Sequence, residues 1–225
     1  MKIAVAIDGP AAAGKSTVAK LIAERKGFTY IDTGAMYRAF TLFCLRNGID
    51  CQNEELCVKA IPEVHIELKP GHIVLLNGED VSFDIRQTNV SGNVSYIASY
   101  KDIRLALVEE QRRMAENDSV IMDGRDIGTY VLPHAEVKIY QIASVETRAV
   151  RRYEENLSKG ITCTLEEIEE DVRKRDYIDS HRAFAPLKPA SDSILLDTSY
   201  MSIEEVVNAI IEIIDKKMKE LSSRG

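Results

Sequence analysis

The sequence alternates between short, wholly apolar runs and longer segments in which apolar residues recur at helical spacing. Residues 3–7 form a continuous apolar run, as expected for a strand buried on both faces of a parallel sheet. A helical pattern follows and ends at Gly27, a residue that commonly ends helices. Residues 28–31 and 32–48 repeat the order, which predicts strand, helix, strand, helix.

Further apolar runs at residues 120–122, 137–142 and 194–196 are each separated from the next by helical pattern. Alternation of this kind predicts an α/β fold, an open and mostly parallel sheet flanked by helices. The last helix is marked by a capping box, Ser202 with Glu205. Its predicted apolar face consists of Ile203, Val206, Val207, Ile210, Ile211 and Ile214.

One segment interrupts the alternation. Residues 64–68 and 73–76 flank Lys69-Pro70-Gly71-His72, which predicts a β-hairpin with a Pro-Gly turn. A polar stretch then runs to Ser99. We therefore expect a small antiparallel insertion at residues 62–99.

Composition narrows the function classes. The 225 residues carry 29 Lys and Arg against 36 Asp and Glu, a net charge of −7. This acidic balance disfavours non-specific binding to nucleic acid or to an anionic membrane. Basic clusters at residues 112–113, 151–152 and 173–175 stand out against it and indicate a small, multiply charged ligand. No run approaches the roughly 18 apolar residues of a membrane span.

The four cysteines form no Cys-x-x-Cys pair, and the four histidines are scattered. This spacing disfavours a zinc site and favours reduced thiols in a cytoplasmic protein.

Chemistry first enters in the turn after residues 3–7. The motif G-x-x-x-x-G-K-[ST], the P-loop of nucleotide-binding proteins, occurs there in full between a predicted strand and a predicted helix. Its backbone N–H groups and the helix N-terminus suit phosphates, Lys15 suits the β- and γ-phosphates, and Ser16 suits Mg²⁺ directly or through water. The predicted ATP or GTP site comprises Gly9, Pro10, Ala11, Ala12, Ala13, Gly14, Lys15, Ser16 and Thr17.

The residues after the apolar run at 120–122 indicate the class of phosphate acceptor. The sequence lacks the Asn-Lys-x-Asp tetrad by which GTPases read guanine. Asp123 ends a predicted strand and is followed by Gly124-Arg125-Asp126, without the catalytic Glu typical of ATPase motors. These features favour a kinase of a small molecule.

Two further clusters are expected at the same edge of the sheet. Residues 32–38 contain Thr33, an acceptor-site candidate or simply a helix N-cap, and Arg38. Residues 175–182 place Arg175, Asp179 and Arg182 on one helix face, as a binding surface or as a solvated salt-bridge ladder.

Taken in order, the P-loop, Asp-Thr-Gly-Ala-Met-Tyr-Arg, Asp-Gly-Arg-Asp-Ile-Gly-Thr and Arg-Asp-x-x-Asp-x-x-Arg-x-x-Ala-Pro-Leu resemble bacterial cytidylate kinases. The resemblance spans about residues 3–207. It implies a P-loop NTPase fold with a core (1–61, 100–146 and 183–225), a nucleoside-monophosphate-binding insertion (62–99) and a lid with its flanking helices (147–182).

The resemblance also implies roles for individual residues. Ser95, Arg104 and Asp126 would read cytosine, whose exocyclic amine suits a carboxylate. Arg175 and Asp179 would hold the sugar. The acceptor phosphate would be surrounded by Thr33, Arg38, Arg125 and Arg182. Ile178 departs from the family pattern, since some members carry a further arginine there.

Three arginines follow the strand at residues 137–142, where nucleotide kinases carry a mobile lid. Arg148, Arg151 and Arg152 are therefore candidates to stabilise the phosphoryl group during transfer; the alternative is an exposed basic face balanced by Glu154 and Glu155.

The implied reaction is ATP with CMP or dCMP giving ADP with CDP or dCDP. Mg²⁺ would be held by Ser16 and, through water, by Asp123. We expect a cytoplasmic monomer that binds neither nucleic acid nor membrane. Two rival functions stay open: a kinase acting on UMP or another small acid, and a nucleotide-dependent switch without catalysis.

Overall fold

The structure is a computed structural model that describes residues 2–158 and 160–223. Residues 1, 159, 224 and 225, which fall in the predicted core and lid ranges, lie outside the described residues. In chain order the strands are β1 (Ala4–Asp8), β2 (Thr29–Asp32), β3 (Ile66–Lys69), β4 (Ile73–Leu76), β5 (Glu79–Asp80), β6 (Val120–Gly124), β7 (Val137–Ile142) and β8 (Ile194–Asp197). The helices are α1 (Lys15–Lys26), α2 (Thr33–Arg46), α3 (Glu54–Lys59), α4 (Thr88–Ile97), α5 (Lys101–Met114), α6 (Val145–Ser158), α7 (Leu165–His181) and α8 (Ile203–Ser222).

The predicted parallel sheet is confirmed. Five strands lie in the order β2-β6-β1-β7-β8, and every neighbouring pair is parallel. β1 is central, and Val5, Ala6 and Ile7 are fully buried, which explains its unbroken apolar run.

The register brings the ends of three strands together. Asp8 of β1 pairs with Gly124 of β6, and Asp32 of β2 pairs with Asp123 of β6. The turns that leave β1, β2 and β6 therefore emerge side by side at the carboxyl edge of the sheet, where open α/β sheets bind ligands.

The predicted hairpin is also confirmed. β3 and β4 are antiparallel, with Ile66 opposite Leu76 and Lys69 opposite Ile73, and β5 extends the sheet to three strands. The turn uses left-handed backbone at Gly71 (φ 78°) and His72 (φ 65°).

The polar stretch that follows the hairpin contains a helix, α4, in addition to loop segments. α4 buries Val90, Val94 and Ile97 against α2, and these residues join one apolar cluster with the hairpin and part of α5. That cluster crosses both expected limits of the 62–99 insertion, so the domain boundaries stay a prediction.

Helices α6 and α7 pack against each other after β7. A capping box of Thr164 and Glu167 begins α7. The predicted capping box at Ser202 and Glu205 begins α8, whose apolar face packs near α1 and β1.

The sequence favours reduced thiols and contains no apolar run long enough to span a membrane. Among the described residues, Cys44, Cys51 and Cys57 are buried free thiols, and Cys163 is a partly buried one. Within those same residues, we find no helix with the length and apolar character needed to cross a membrane.

Candidate active site

A cavity of about 810 Å³ opens at the carboxyl edge of the parallel sheet. The P-loop, the ends of β2 and β6, and helices α4, α6 and α7 contribute to its walls. The predicted site residues that line it are Ala12, Ala13, Gly14, Lys15, Ser16, Thr17, Thr33, Arg38, Ser95, Arg104, Asp123, Arg125, Asp126, Arg151, Arg152, Arg175, Asp179 and Arg182. Gly9, Pro10, Ala11 and Arg148 lie behind this surface.

The P-loop has the curled backbone that its sequence requires. Gly9, Ala12 and Gly14 all have positive φ, at 153°, 58° and 87°. At Gly9 a Cβ atom would lie 2.0 Å from the carbonyl oxygen of Gln141, so only glycine fits. The loop leads into the N-terminus of α1, a favourable place for phosphate oxygens.

Lys15 is 5% exposed, and its Nζ donates to the carbonyl oxygen of Pro10 at 2.7 Å. Burial lowers the pKa of Lys15 well below its usual range, and the nearby Arg125 guanidinium adds to the decrease. A polyanion bound here would oppose both effects. Phosphate binding beside Lys15 would therefore be favourable.

Oxygen donors converge beside Lys15. The Ser16 hydroxyl donates to Asp123 Oδ2 at 2.9 Å, and the Tyr30 hydroxyl donates to Asp123 Oδ1 at 2.7 Å. Burial and the neighbouring Asp32 carboxylate raise the pKa of Asp123. A hydroxyl and a carboxylate that would gain from a nearby cation fit Mg²⁺, which prefers oxygen ligands.

Asp126 lies at the centre of a buried polar cluster. Its carboxylate accepts from Arg104 and, at 3.2 Å, from Arg182. Both arginines also donate to the carbonyl oxygen of Ala98, at 3.0 and 3.4 Å. Ser95 of α4 lines the cavity beside them. The structure thus brings together the three residues predicted to read cytosine.

A second cationic group faces the same cavity. Burial lowers the pKa of Arg38 to about 10, and Arg175, Arg86 and Arg125 contribute to the decrease. The pKa of Arg175 is lowered too, by burial and by Arg125. Among the described residues, the buried Nε of Arg175 has no hydrogen-bond partner. These are the properties of a site built for an anion.

The remaining predicted acceptor residues make hydrogen bonds to other residues of the site. Arg125 Nε donates to Asp179 Oδ2 at 2.7 Å, and Arg125, Arg175 and Arg182 lower the pKa of Asp179 although burial raises it. The Thr33 hydroxyl donates to the Asp123 carbonyl oxygen at 2.7 Å. Asp32, rather than Thr33, caps α2, by accepting from the Ala35 N–H.

Of the three predicted lid arginines, two reach the cavity. Arg151 donates to the Thr198 carbonyl oxygen at 2.7 Å, and Arg152 pairs with Glu155 at 3.1 Å. Their catalytic roles stay predictions.

Arg148 is placed differently from its two neighbours. It is 3% exposed and donates to the carbonyl oxygens of Ala11 and Ala143, both at 2.9 Å. It also pairs with Asp176 at 2.7 Å. Because these partners belong to the P-loop and α7, Arg148 ties the two together instead of facing the cavity.

Arg86 and Gln141 are among the residues of the site that were not predicted from the sequence. Arg86 lines the cavity and lies 3.5 Å from Asp32, but it comes from a polar stretch without a recognisable motif. Gln141 donates to the Ala13 carbonyl oxygen at 2.6 Å and supports the P-loop. A polar residue on a buried strand is a detectable indication of such a role.

Comparison with known proteins identifies a family and relatives over nearly the whole chain. The family model described as cytidylate kinase matches residues 5–216. A cytidylate kinase of Anoxybacillus flavithermus is 52% identical over 221 residues, covering 97% of this chain and 98% of the relative. One of Geobacillus kaustophilus is 51% identical over 220 residues, covering 96% and 98%.

Solved structures show the same fold at low sequence identity. A gluconokinase from Sinorhizobium meliloti has a TM-score of 0.55 at 11% identity, covering all of this chain and 99% of the other. An uncharacterized protein from Eubacterium ventriosum has the same TM-score at 15% identity, covering 96% and 99%.

Proposed function

Because this chain belongs to the cytidylate kinase family, its reaction is transfer of the γ-phosphoryl group of ATP to CMP or dCMP, and we propose that the cavity holds both nucleotides. The products are ADP with CDP or dCDP, a step of pyrimidine nucleotide metabolism. The observation that carries the proposal is the continuity of one cavity from the P-loop to Arg38 and Arg175. Burial and neighbouring arginines lower the pKa values of these two cations.

The donor side of the cavity is suited to ATP. Backbone N–H groups of the P-loop bind the phosphates, and Lys15 reaches the β- and γ-phosphates. Ser16 and Asp123 hold Mg²⁺, whose charge when bound offsets that of the phosphates.

The acceptor side is suited to a cytosine base. Asp126 accepts from the exocyclic amine, while Arg104 and Ser95 donate to the carbonyl and ring nitrogen. Uracil would instead turn a carbonyl oxygen toward Asp126. Two hydrogen-bond acceptors, that oxygen and the carboxylate, would then face each other in a buried site. Discrimination against UMP follows from that conflict.

The acceptor phosphate and the sugar occupy the cationic part of the cavity. Thr33, Arg38, Arg125 and Arg182 surround the phosphate. Arg175 and Asp179 hold the sugar, and Asp179 accepts from a ribose hydroxyl in addition to Arg125. The pairing of Asp179 with Arg125 keeps the carboxylate ionised for that purpose.

Catalysis is chiefly charge neutralisation in this proposal. The acceptor phosphate has a second pKa of about 6 and is mostly a dianion at neutral pH, so no general base is required. Lys15 and the arginines instead oppose the repulsion between two anions brought into line. Movement of a lid within residues 147–182 would exclude water and bring Arg151 and Arg152 to the phosphoryl group.

The protein's setting is proposed from its sequence. Free cysteines and an acidic surface support a cytoplasmic enzyme, and we propose that it acts as a monomer.

Steady-state ADP release with CMP, dCMP, UMP, AMP and shikimate as acceptors tests the proposed function. CMP and dCMP should have the highest kcat/KM values. Equal use of UMP would contradict the base-reading role of Asp126, and preference for shikimate would contradict the acceptor class. ATP binding without ADP release, whichever acceptor is present, would support a nucleotide-dependent switch instead.

A further inference from the structure

Asp126 immediately precedes a single tight helical turn, Ile127–Val131, and is its N-terminal cap residue. The carbonyl oxygen of Asp126 accepts from the N–H groups of Tyr130 and Val131, at 2.8 and 3.1 Å. The position of the Asp126 carboxylate therefore depends on how this turn is held against the rest of the molecule.

Asp8 holds the beginning of the turn. Its Oδ1 accepts from the N–H of Ile127 and its Oδ2 from the N–H of Gly128, both at 2.7 Å. Asp8 is 5% exposed and ends β1, the central strand of the sheet. The two carboxylate oxygens of Asp8 thus join two consecutive amides of the turn to the end of the central strand.

Arg112 of α5 holds the end of the turn. Its Nε donates to the Val131 carbonyl oxygen at 2.9 Å, and its Nη2 donates to the Tyr130 carbonyl oxygen at 2.7 Å. Its guanidinium also lies 5.4 Å from the centroid of the Tyr130 ring. Arg112 is one of the clustered arginines that suggested a charged ligand, yet its donors contact backbone carbonyls and it is not part of the cavity wall.

We propose that Asp8 and Arg112 are positioning residues for acceptor recognition. By holding the turn from its two ends, they place the Asp126 carboxylate between Arg104 and Arg182, where the cytosine amine is read. This inference rests on the proposed function of Asp126. Neither Asp8 nor Arg112 contacts substrate in this account; each acts through the turn.

The substitution Asp8→Asn tests the inference directly. Asparagine keeps the shape but turns an N–H toward one of the two amide donors, so one hydrogen bond is lost and the donors oppose each other. We expect the KM for CMP, measured at pH 8 where the Asp8 carboxyl is mostly ionised, to rise about tenfold or more, since hydrogen bonds to a charged group contribute on that scale. The KM for ATP should rise by a smaller factor, because Asp8 affects Lys15 through its charge, whereas both of its side-chain hydrogen bonds go to the turn.

Glu136→Gln is the matched control. The Glu136 carboxylate accepts from the N–H of Ala4 at 2.7 Å, at the opposite end of the same strand and away from the cavity. Both KM values should stay within about twofold of the wild type in this variant.

Arg112→Ala provides a second route if Asp8→Asn does not fold. Arg112 is exposed, so its removal should be tolerated, with a rise of about threefold in the KM for CMP alone. Calorimetric titration of both variants with CMP, in the absence of ATP so that no turnover occurs, should show losses in CMP affinity of the same size.

Two results would overturn the inference: an equal rise in both KM values, or an unchanged KM for CMP in both variants. Asp126→Asn, assayed in parallel, separates this inference from the proposed function. An unchanged KM for CMP in that variant contradicts the base-reading role of Asp126 itself.

Discussion

Several buried cations of the cavity have lowered pKa values, and a bound anion would raise these values again. Lys15, Arg38 and Arg175 all have lowered pKa values because burial disfavours their charged forms and neighbouring cations add to that effect. Buried charges of this kind cost stability in the free protein. Under the proposed function a bound phosphate offsets that cost, and we infer that these cations serve binding more than the fold.

Lys15→Ala is expected to separate function from folding. Turnover should fall at least about 100-fold, since a cation aimed at the transferring phosphates is lost. The free energy of unfolding should not decrease, because a buried charge is removed. Steady-state ADP release and urea denaturation measure the two effects. Lys26→Ala, at the other end of α1 and paired with Asp215, is the control and should keep normal turnover; near-normal turnover in Lys15→Ala would remove the P-loop lysine from the mechanism.

Asp8 predicts a specific dependence of stability on pH. Burial raises its pKa to about 7 from an ordinary 3.8, against the lowering effect of its two backbone hydrogen bonds. Asp126 also raises this pKa and Lys15 lowers it, while Tyr140 faces Asp8 from β7. Because the pKa of Asp8 is higher in the folded state, rising pH ionises Asp8 in the unfolded chain first and so favours unfolding. This group's contribution to stability is full below pH 4 and is lost as pH rises to about 7.

The measurement is urea denaturation of the wild type and Asp8→Asn between pH 5 and 8. Relative to the variant, the free energy of unfolding of the wild type should decrease by about 2–3 kcal/mol from pH 5 to 7.5, since each pKa unit corresponds to about 1.4 kcal/mol. Above pH 7.5 the difference between the two proteins should stay constant. Parallel stability curves for the two proteins would show that Asp8 keeps an ordinary pKa.

At the scale of elements, the strand ends and the paired helices α6 and α7 build different parts of the site. The ends of β1, β2 and β6 place the P-loop, Asp32 and Asp123, because parallel strands finish at one edge. Helices α6 and α7 bring arginines over that edge. Arg148 joins the two parts through the carbonyl oxygen of Ala11 and the carboxylate of Asp176.

Arg148→Ala should therefore destabilise the protein as well as impair it. Removing one member of a buried ion pair leaves Asp176 and a P-loop carbonyl oxygen without their partner, at a cost of about 3 kcal/mol. Urea denaturation measures this loss. Arg173→Ala is the control: its ion pairs with Glu146 and Glu169 are exposed, so the loss should stay below about 1 kcal/mol. A stable but inactive Arg148→Ala would instead favour a role limited to phosphoryl transfer.

At the scale of the whole molecule, the net charge of −7 describes the outer surface, while arginines from separate segments converge in one cavity. Features set by local sequence were predictable: the buried strands, the P-loop, the Pro-Gly hairpin and the α8 capping box. α4 was missed because its Thr, Asn, Ser and Gly residues favour loops, and only the apolar residues that it buries reveal it. The partners of Arg148, Arg112 and Arg86 were beyond prediction, since each contact joins segments far apart in the chain.

We propose that this cavity reads cytosine through Asp126. The ratio of kcat/KM for CMP to kcat/KM for UMP, in the wild type and in Asp126→Asn, tests it most directly. The wild type should prefer CMP by at least about 100-fold, because a buried acceptor faces the uracil carbonyl. In Asp126→Asn, whose side chain can also donate, the ratio should fall by about tenfold or more. An unchanged ratio in the variant would contradict the account.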